Sequence, residues 1–298
     1  MGLRQIEYFL AVADHGNFTR AAKSLHVSQP ALSQQVKHLE RTLGAVLFDR
    51  SGRSVRLTTA GEVYAYHARL ALRDLSAGER AVHDVRDLSR GQLRVGATPT
   101  FTAYLIGPLV HRFHTEYPGI QLTVVEPNQD RIENDLLSDC LDLGIGFAGE
   151  HAPGIVHRTL FTETMSLVVS SSHRFAATTG SLPVAELADE PLAMLSANFA
   201  TSAHVRAYLA SQDVRQRIAV ETDSVMSLLA LIKCGSLVSV LPDVVVGQDA
   251  GLRCIPLTPA PPGRSVQLMW RGGVYPSAAM RAFVDIVWDA ASALRTRP

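Results

Sequence analysis

The chain has 298 residues, 47% of them apolar, and its 28 Lys and Arg balance 28 Asp and Glu to a formal net charge of zero. That length supports two cored domains, the 19% charged fraction argues against extended disorder, and no run of about 18 uninterrupted apolar residues exists to span a membrane. The N-terminus carries Arg4 and Glu7 where an export signal would be apolar, and Cys140, Cys234 and Cys254 lie far apart without C-x-x-C spacing. A cytoplasmic chain with no disulfide framework, structural zinc or cofactor is therefore expected.

Zero net charge hides a polarity: residues 1–58 sum to +4 and the remainder to −4. A basic head on an acidic body predicts that one end meets a polyanion. Leu3, Ile6, Phe9, Leu10 and Ala13 recur at helical spacing. Gly16 and Asn17 interrupt them, and Thr19 is the expected N-cap of a second helix with Ala21, Ala22 and Leu25. After the short His26-Val27 connection, Ser28 caps a third helix with Pro30 in its first turn and Ala31, Leu32, Val36, Leu39 and Leu43 facing inward. Two helices joined so tightly form a helix-turn-helix, whose second helix would offer Gln29, Ser33, Gln34 and Lys37 to base edges or phosphate. The same spacing also fits a small bundle with a solvated polar face. Residues 46–58 favour the first reading: Val55 and Leu57 alternate after Ser51-Gly52-Arg53, the pattern of a two-stranded wing with arginine at its tip for a minor groove.

The head closely resembles the LysR-type transcriptional regulators. The resemblance rests on Phe18-Thr19-Arg20-Ala21-Ala22 with Leu25, Val27-Ser28-Gln29-Pro30-Ala31-Leu32-Ser33, Leu39-Glu40, Leu43-Gly44, Leu47-Phe48-Asp49-Arg50 and Leu57-Thr58. It implies a winged helix-turn-helix that binds double-stranded promoter DNA through Thr19, Arg20, Ser28, Gln29, Pro30, Ser33, Gln34, Lys37, Arg50 and Arg53. Domain limits of 1–58 for the head, 59–89 for a linker helix and 90–298 for an effector-binding body are expected. In the linker, Tyr64, Ala68, Ala71, Leu75, Gly78, Val82 and Val85 form a heptad seam. A helix lying on its own domain would serve the same residues, but the resemblance implies a homodimer through this seam, a homotetramer beyond it, and RNA polymerase as a partner.

The body alternates strands and helices: strand 93–97, helix through Leu105–Phe113, strand 120–125, helix 132–138, strand 142–147, then a second set from Met165. This predicts an α/β fold with largely parallel sheets. The resemblance implies two lobes like those of periplasmic solute-binding proteins, lobe I about 91–162 with 266–298 and lobe II about 163–265. Ligand groups in such a cleft come from loops at strand ends, where helices also begin. Thr98, Pro99, Thr100, Phe101, Thr102, Phe147, Ser196, Asn198, Thr201 and Ser224 are the candidates, although capping would also employ the Ser and Thr residues. The body is most similar to family members that activate cyanate operons, through Asp87–Gly91, Thr98–Thr102, Ile106–Leu109, Tyr117-Pro118 and Leu195–Thr201. That similarity implies a small linear monoanion such as cyanate as inducer. Phe147 is followed by Ala148-Gly149, so no arginine anchor stands at this strand end.

Other chemistries fit less well. Cys234 and Cys254 share a lobe and could pair in a redox sensor, but Cys234 is expected on a buried helix end. No H-x-x-x-H, H-E-x-x-H, P-loop, strand-following G-x-G-x-x-G or G-x-S-x-G occurs, and Gly144-Ile145-Gly146 reads as packing, so no enzyme is expected.

Overall fold

The computed structural model describes residues 2–51, 55–84, 88, 90–247 and 249–295. The chain divides into two compact units, 1–80 and 81–298.

The first unit is built on α1 (Leu3–His15), α2 (Phe18–Ser24) and α3 (Gln29–Leu43), followed by the paired strands β1 (Phe48–Asp49) and β2 (Arg56–Leu57). Ile6, Phe9, Leu10 and Val12 are buried on α1, whereas Leu3, expected on the same face, is 53% exposed at the first turn. Gly16 ends α1 at φ +56°, a left-handed conformation that costs glycine little. The N-cap of α2 is Asn17 rather than Thr19: its Oδ1 accepts from the backbone N–H of Thr19 (2.8 Å) and Arg20 (3.1 Å). Asn17 stands one residue before the helix in extended conformation, where one side-chain oxygen reaches two unsatisfied N–H groups. Ser28 caps α3 as expected, but only Leu32, Val36 and Leu39 of its predicted inward face are buried; Ala31 and Leu43 are exposed. Gly52, Arg53 and Ser54, and with them the expected wing arginine, lie outside the described residues.

The long helix α4 runs from Thr59 to Asp84. Its early turns belong to the first unit because Ala65 and Ala68 are buried in the head core and Tyr64 and Leu72 pack against it, the Tyr64 ring lying 5.2 Å from that of Phe9. The predicted seam is therefore divided. Tyr64 and Ala68 face the head itself, Ala71, Leu75 and Gly78 are exposed, and the side chains of Val82 and Val85 lie outside the described residues.

In the second unit, β3 (Gly91–Ala97) leads into one continuous helical run: α5 (Pro99–Phe101), a π-helical turn at Thr102–Ile106 and α6 (Gly107–Glu116). Then follow β4 (Ile120–Val125), α7 (Gln129–Leu137), β5 (Leu143–Phe147) and β6 (Ile155–Glu163). Lobe II holds β7 (Met165–Ser170), β8 (Leu182–Pro183), β9 (Pro191–Leu195), α8 (Ala200–Ser211) and β10 (Arg217–Thr222). It continues through α9 (Val225–Lys233), β11 (Ser239–Pro242), α10 (Asp243–Val246), β12 (Leu252–Ile255) and β13 (Leu257–Thr258). The chain returns to lobe I through β14 (Arg264–Arg271) and closes with α11 (Ala278–Arg295).

The sheets are mixed, not largely parallel. In the lobe I order β4-β3-β5-β14-β6, β3 is parallel to both neighbours while β14 is antiparallel to β5 and β6. The reason is topological: β6 carries the chain out toward lobe II and β14 brings it back, so these two strands must run oppositely. In lobe II, β11 and β12 flank β7 antiparallel, and β9 and β10 pair in parallel.

Gly144 and Gly146 let α7 settle onto the sheet, since a Cβ would stand 2.5 Å from Ile132 at the first and 2.3 Å from the Gln129 side-chain oxygen at the second. Gln129 in turn clamps the end of β5, accepting from the Phe147 N–H (2.9 Å) and donating to the Phe147 carbonyl (3.1 Å). In the head, Gly61 has an equivalent constraint: a Cβ there would lie 2.1 Å from the Leu47 carbonyl oxygen. Gly61→Ala is expected to destabilise the full-length chain by about 1–3 kcal/mol in urea unfolding, with the loss concentrated in the head by hydrogen exchange.

Candidate functional site: the reading helix and the effector cleft

The outward face of α3 is a polar stripe. Gln29, Ser33 and Lys37 repeat at four-residue steps, with Gln34 beside them; all but the half-buried Ser33 are exposed. The Ser28 hydroxyl is occupied as a cap, accepting from the Ala31 N–H at 3.4 Å, and Pro30 is exposed in the first turn. Thr19 and Arg20 are exposed at the start of α2, where a helix N-terminus favours phosphate.

Arg50 behaves differently. Its guanidinium pairs with Glu40 at 2.9 Å and lies 4.9 Å over the Phe18 ring. Glu40 also accepts the N–H groups of Leu47 (2.9 Å) and Phe48 (3.3 Å), so this cluster fixes α3 to the strand pair. Arg50 thus supports the reading helix from within the head.

In the body, strand ends and helix starts enclose a cavity of about 270 Å³. Thr98, Pro99 and Thr100 come from the β3 end, Asn128 and Gln129 from the α7 start, Phe147 from the β5 end, and Asn198 and Thr201 from the α8 start. Glu126 and Arg131 add one charge of each sign to the lining. Three helical segments begin here, and α8 has no side-chain cap at Phe199. Thr98 and Thr100 are 4% and 1% exposed, and their hydroxyl oxygens have no hydrogen-bond partner; the same holds for Thr102, which stands outside the lining.

The other candidates take structural positions. Phe101 is fully buried against Phe147, ring centroids 4.9 Å apart. The Ser196 hydroxyl donates to Asp223, and Ser224 caps α9 by accepting from Ser227 (3.3 Å). Neither serine lines the cavity.

Sequence reasoning missed Arg264. No arginine follows Phe147 in sequence, yet Arg264, at the start of β14, lies 3.9 Å over the Phe147 ring. Its side chain is 6% exposed and donates to Glu163 at 2.7 Å and to the Thr201 hydroxyl at 3.2 Å. Tyr104, from the π-helical turn, donates to the other Glu163 oxygen. Burial pushes the Glu163 carboxyl above its ordinary range, against the pull of Arg264, and lowers the Arg264 guanidinium. Burial and the Glu163 charge push the Tyr104 hydroxyl far up, so it stays protonated as a donor.

The cysteines do not pair. All three are free, Cys140 and Cys234 are exposed, and the expected burial of Cys234 is corrected: it caps α9 on the surface side. Cys254 is half-buried, its thiol pushed up to about 12 by burial and by Asp243. Among the described residues no His/Cys/Asp/Glu group could hold a metal, and no helix is long and apolar enough to cross a membrane.

Comparison with known families decides the assignment. Residues 3–62 match the bacterial regulatory helix-turn-helix protein, lysR family, and residues 86–292 match the LysR substrate binding domain. The chain belongs to the LysR family. Over 276 residues it is 29% identical to the DNA-binding transcriptional dual regulator OxyR of Escherichia coli, covering 92% of this chain and 90% of that protein. A full-length OxyR variant from Pseudomonas aeruginosa superposes with TM-score 0.69 at 26% identity, covering 98% and 94% of the two chains. Full-length CbnR complexed with its target DNA gives TM-score 0.64 at 25% identity, covering 97% and 100%. A LysR-family chain is a DNA-binding transcriptional regulator with an effector-binding body, not an enzyme, and its fold is the winged-head, two-lobed α/β architecture.

On this LysR head, Ser33→Ala should relax discrimination at one base position by ~1 kcal/mol or more, measured on a panel of operator variants. Lys37→Ala should weaken binding to all sequences alike and flatten the salt dependence by about one unit of slope. In the body, Thr98→Val and Thr100→Val remove buried unsatisfied hydroxyls and should each raise unfolding stability by about 1 kcal/mol while weakening effector binding.

Proposed function

We propose that this LysR-family regulator senses a small monoanion, with cyanate as the named candidate, in the cleft between its lobes and changes its hold on promoter DNA in response. The supporting observation is the pair of buried, unpartnered hydroxyls of Thr98 and Thr100 at a point where three helical segments begin. Hydroxyl donors and oriented backbone N–H groups stabilise a small anion, while the two charges of the lining, Glu126 and Arg131, offset one another. A linear three-atom anion fills one corner of about 270 Å³, and water bridging polar lining groups fills the rest. The DNA contacts are assigned to Thr19, Arg20, Gln29, Ser33, Gln34 and Lys37, with Arg53 as wing contact from the sequence pattern.

Two copies would associate through the exposed part of the α4 seam, at Ala71, Leu75 and Gly78. Tetramers through the bodies and contact with RNA polymerase complete the reading. The inducer acts by its differential affinity for two arrangements of the lobes.

Relatives named for hydrogen peroxide bring a redox reading forward. The cysteines speak against it here: a Cys254 thiol pushed up to about 12 is almost entirely protonated near neutral pH, and the thiolate is the reactive form. Native alkylation at pH 8 should label Cys140 and Cys234 and spare Cys254 until the chain is unfolded; a peroxide-induced Cys234–Cys254 bond detected by peptide mapping would reverse this conclusion.

Titration calorimetry of the full chain with sodium cyanate tests the effector. Saturable heat that Thr100→Val weakens at least tenfold is expected, and no heat at millimolar cyanate would remove cyanate from the proposal.

A further inference from the structure

We infer that Arg264 is the charge-reading residue of the effector cleft, acting on a bound monoanion through the Thr201 hydroxyl rather than by direct contact. The inference rests on the anionic-effector reading and names a buried cation behind the lining, distinct from Arg131, which lines the cavity together with Glu126.

Thr201 lines the cavity and accepts from the Arg264 guanidinium at 3.2 Å. A hydroxyl whose lone pair is engaged by a cation has its own proton left to donate, and the cation strengthens that donation. Arg264 is suited to the task by its surroundings. Its side chain is 6% exposed, and its Nε–H has no partner. Glu163, wholly buried, neutralises the cation at rest, while Tyr104 holds the second carboxylate oxygen. Two further ionisable groups feel this pair: Asp243 acts on Glu163, and His204, bonded to the Pro262 carbonyl at 2.8 Å, is held below its ordinary range by burial and then by Arg264. An anion entering beside Thr201 therefore gains both the strengthened hydrogen bond and the attraction of an incompletely satisfied guanidinium, whereas a neutral molecule of the same shape gains the hydrogen bond alone.

The position also bears on the response. Arg264 and Glu163 are register partners on the two strands that cross between the lobes, whereas Thr201 begins a lobe II helix. A ligand that draws on Arg264 through Thr201 thus loads the crossing strands directly.

The test is calorimetric titration of the full chain with sodium cyanate, azide, formate and acetate. To avoid leaving Glu163 as an unpaired buried charge, Arg264→Gln is combined with Glu163→Gln; Thr201→Val and Thr201→Ser are made separately. The wild type is expected to bind at least one of these anions. Thr201→Val and the Arg264→Gln/Glu163→Gln variant should each lose tenfold or more, Thr201→Ser should stay within threefold of wild type, and the triple variant should lose no more than Thr201→Val alone. Losses that multiply in the triple variant would overturn the route through Thr201. Undiminished binding in Arg264→Gln/Glu163→Gln would overturn the role of Arg264 while leaving the anion reading standing. Absence of heat for all four anions in the wild type would overturn the anion reading and this inference with it. Where the charge-deleted variant does not fold, acetate is compared with neutral acetamide in the wild type and in Thr201→Val: a tenfold preference for acetate that Thr201→Val abolishes is expected, and a preference that survives in Thr201→Val would overturn the inference.

Discussion

The ion pair between Glu163 and Arg264 is the constraint on which the body depends. Burying two charges is costly, and losing either partner leaves the other stranded at a penalty of about 3–5 kcal/mol. The chain accepts that cost where its lobes are covalently joined: Glu163 ends β6 and Arg264 begins β14. Tyr104 and Thr201 add one hydrogen bond each from one helix of each lobe, and the Arg264 Nε–H stays without a partner. A small set of directional bonds therefore defines the crossing point, where apolar packing alone would permit sliding. The candidate cavity adjoins this point, since Phe147 and Thr201, both in its lining, contact the Arg264 guanidinium.

The head has an analogous centre in Glu40. Its carboxylate gathers two backbone N–H groups at the start of the strand pair and the Arg50 guanidinium, fixing the angle between α3 and the strands. Gln29, Ser33 and Lys37, the proposed DNA contacts, stand on the helix so fixed, and recognition of this kind depends on side chains held to within a fraction of an ångström. Arg50, expected from the sequence as a DNA contact, is held by Glu40 and the Phe18 ring within the head.

Much of this is legible in the sequence because it is local. Helical periodicity, the Gly16 and Gly44 stops and the Ser28 cap act within a few residues, so three head helices can be placed. The body strands at 93–97, 120–125, 143–147 and 165–170 are legible as apolar runs. β6 is not: residues 156–159 are all exposed, and the strand is held by pairing with β14 more than a hundred residues away. The same distance conceals the mixed sheet direction, which follows from the chain leaving and re-entering lobe I. Thr19 and Asn17 both suit a cap by residue type and rough position, and only the extended backbone at Asn17 separates them. The α4 heptads read as one seam, but a helix that passes over its own head spends its first apolar turns there.

Arg264 illustrates the limit most clearly. In sequence it follows Pro261-Pro262-Gly263 and looks like a linker charge, with nothing nearby to pair with. Its partners stand 101 residues (Glu163) and 63 residues (Thr201) upstream. The threonines show the reverse case, since their residue types flag the site but not its character. Thr98 and Thr100 fit the pattern of caps, and a cap hydroxyl is satisfied by backbone N–H. Here neither hydroxyl has a partner, and α5 has no side-chain cap. A folded chain left to optimise stability alone would place valine at such positions, because a buried hydroxyl without a bond costs free energy and returns none. At Thr98 and Thr100 the unsatisfied hydroxyls also coincide with a cavity, which Thr102, equally unpartnered, does not line, and it is this coincidence on which the proposed effector site rests.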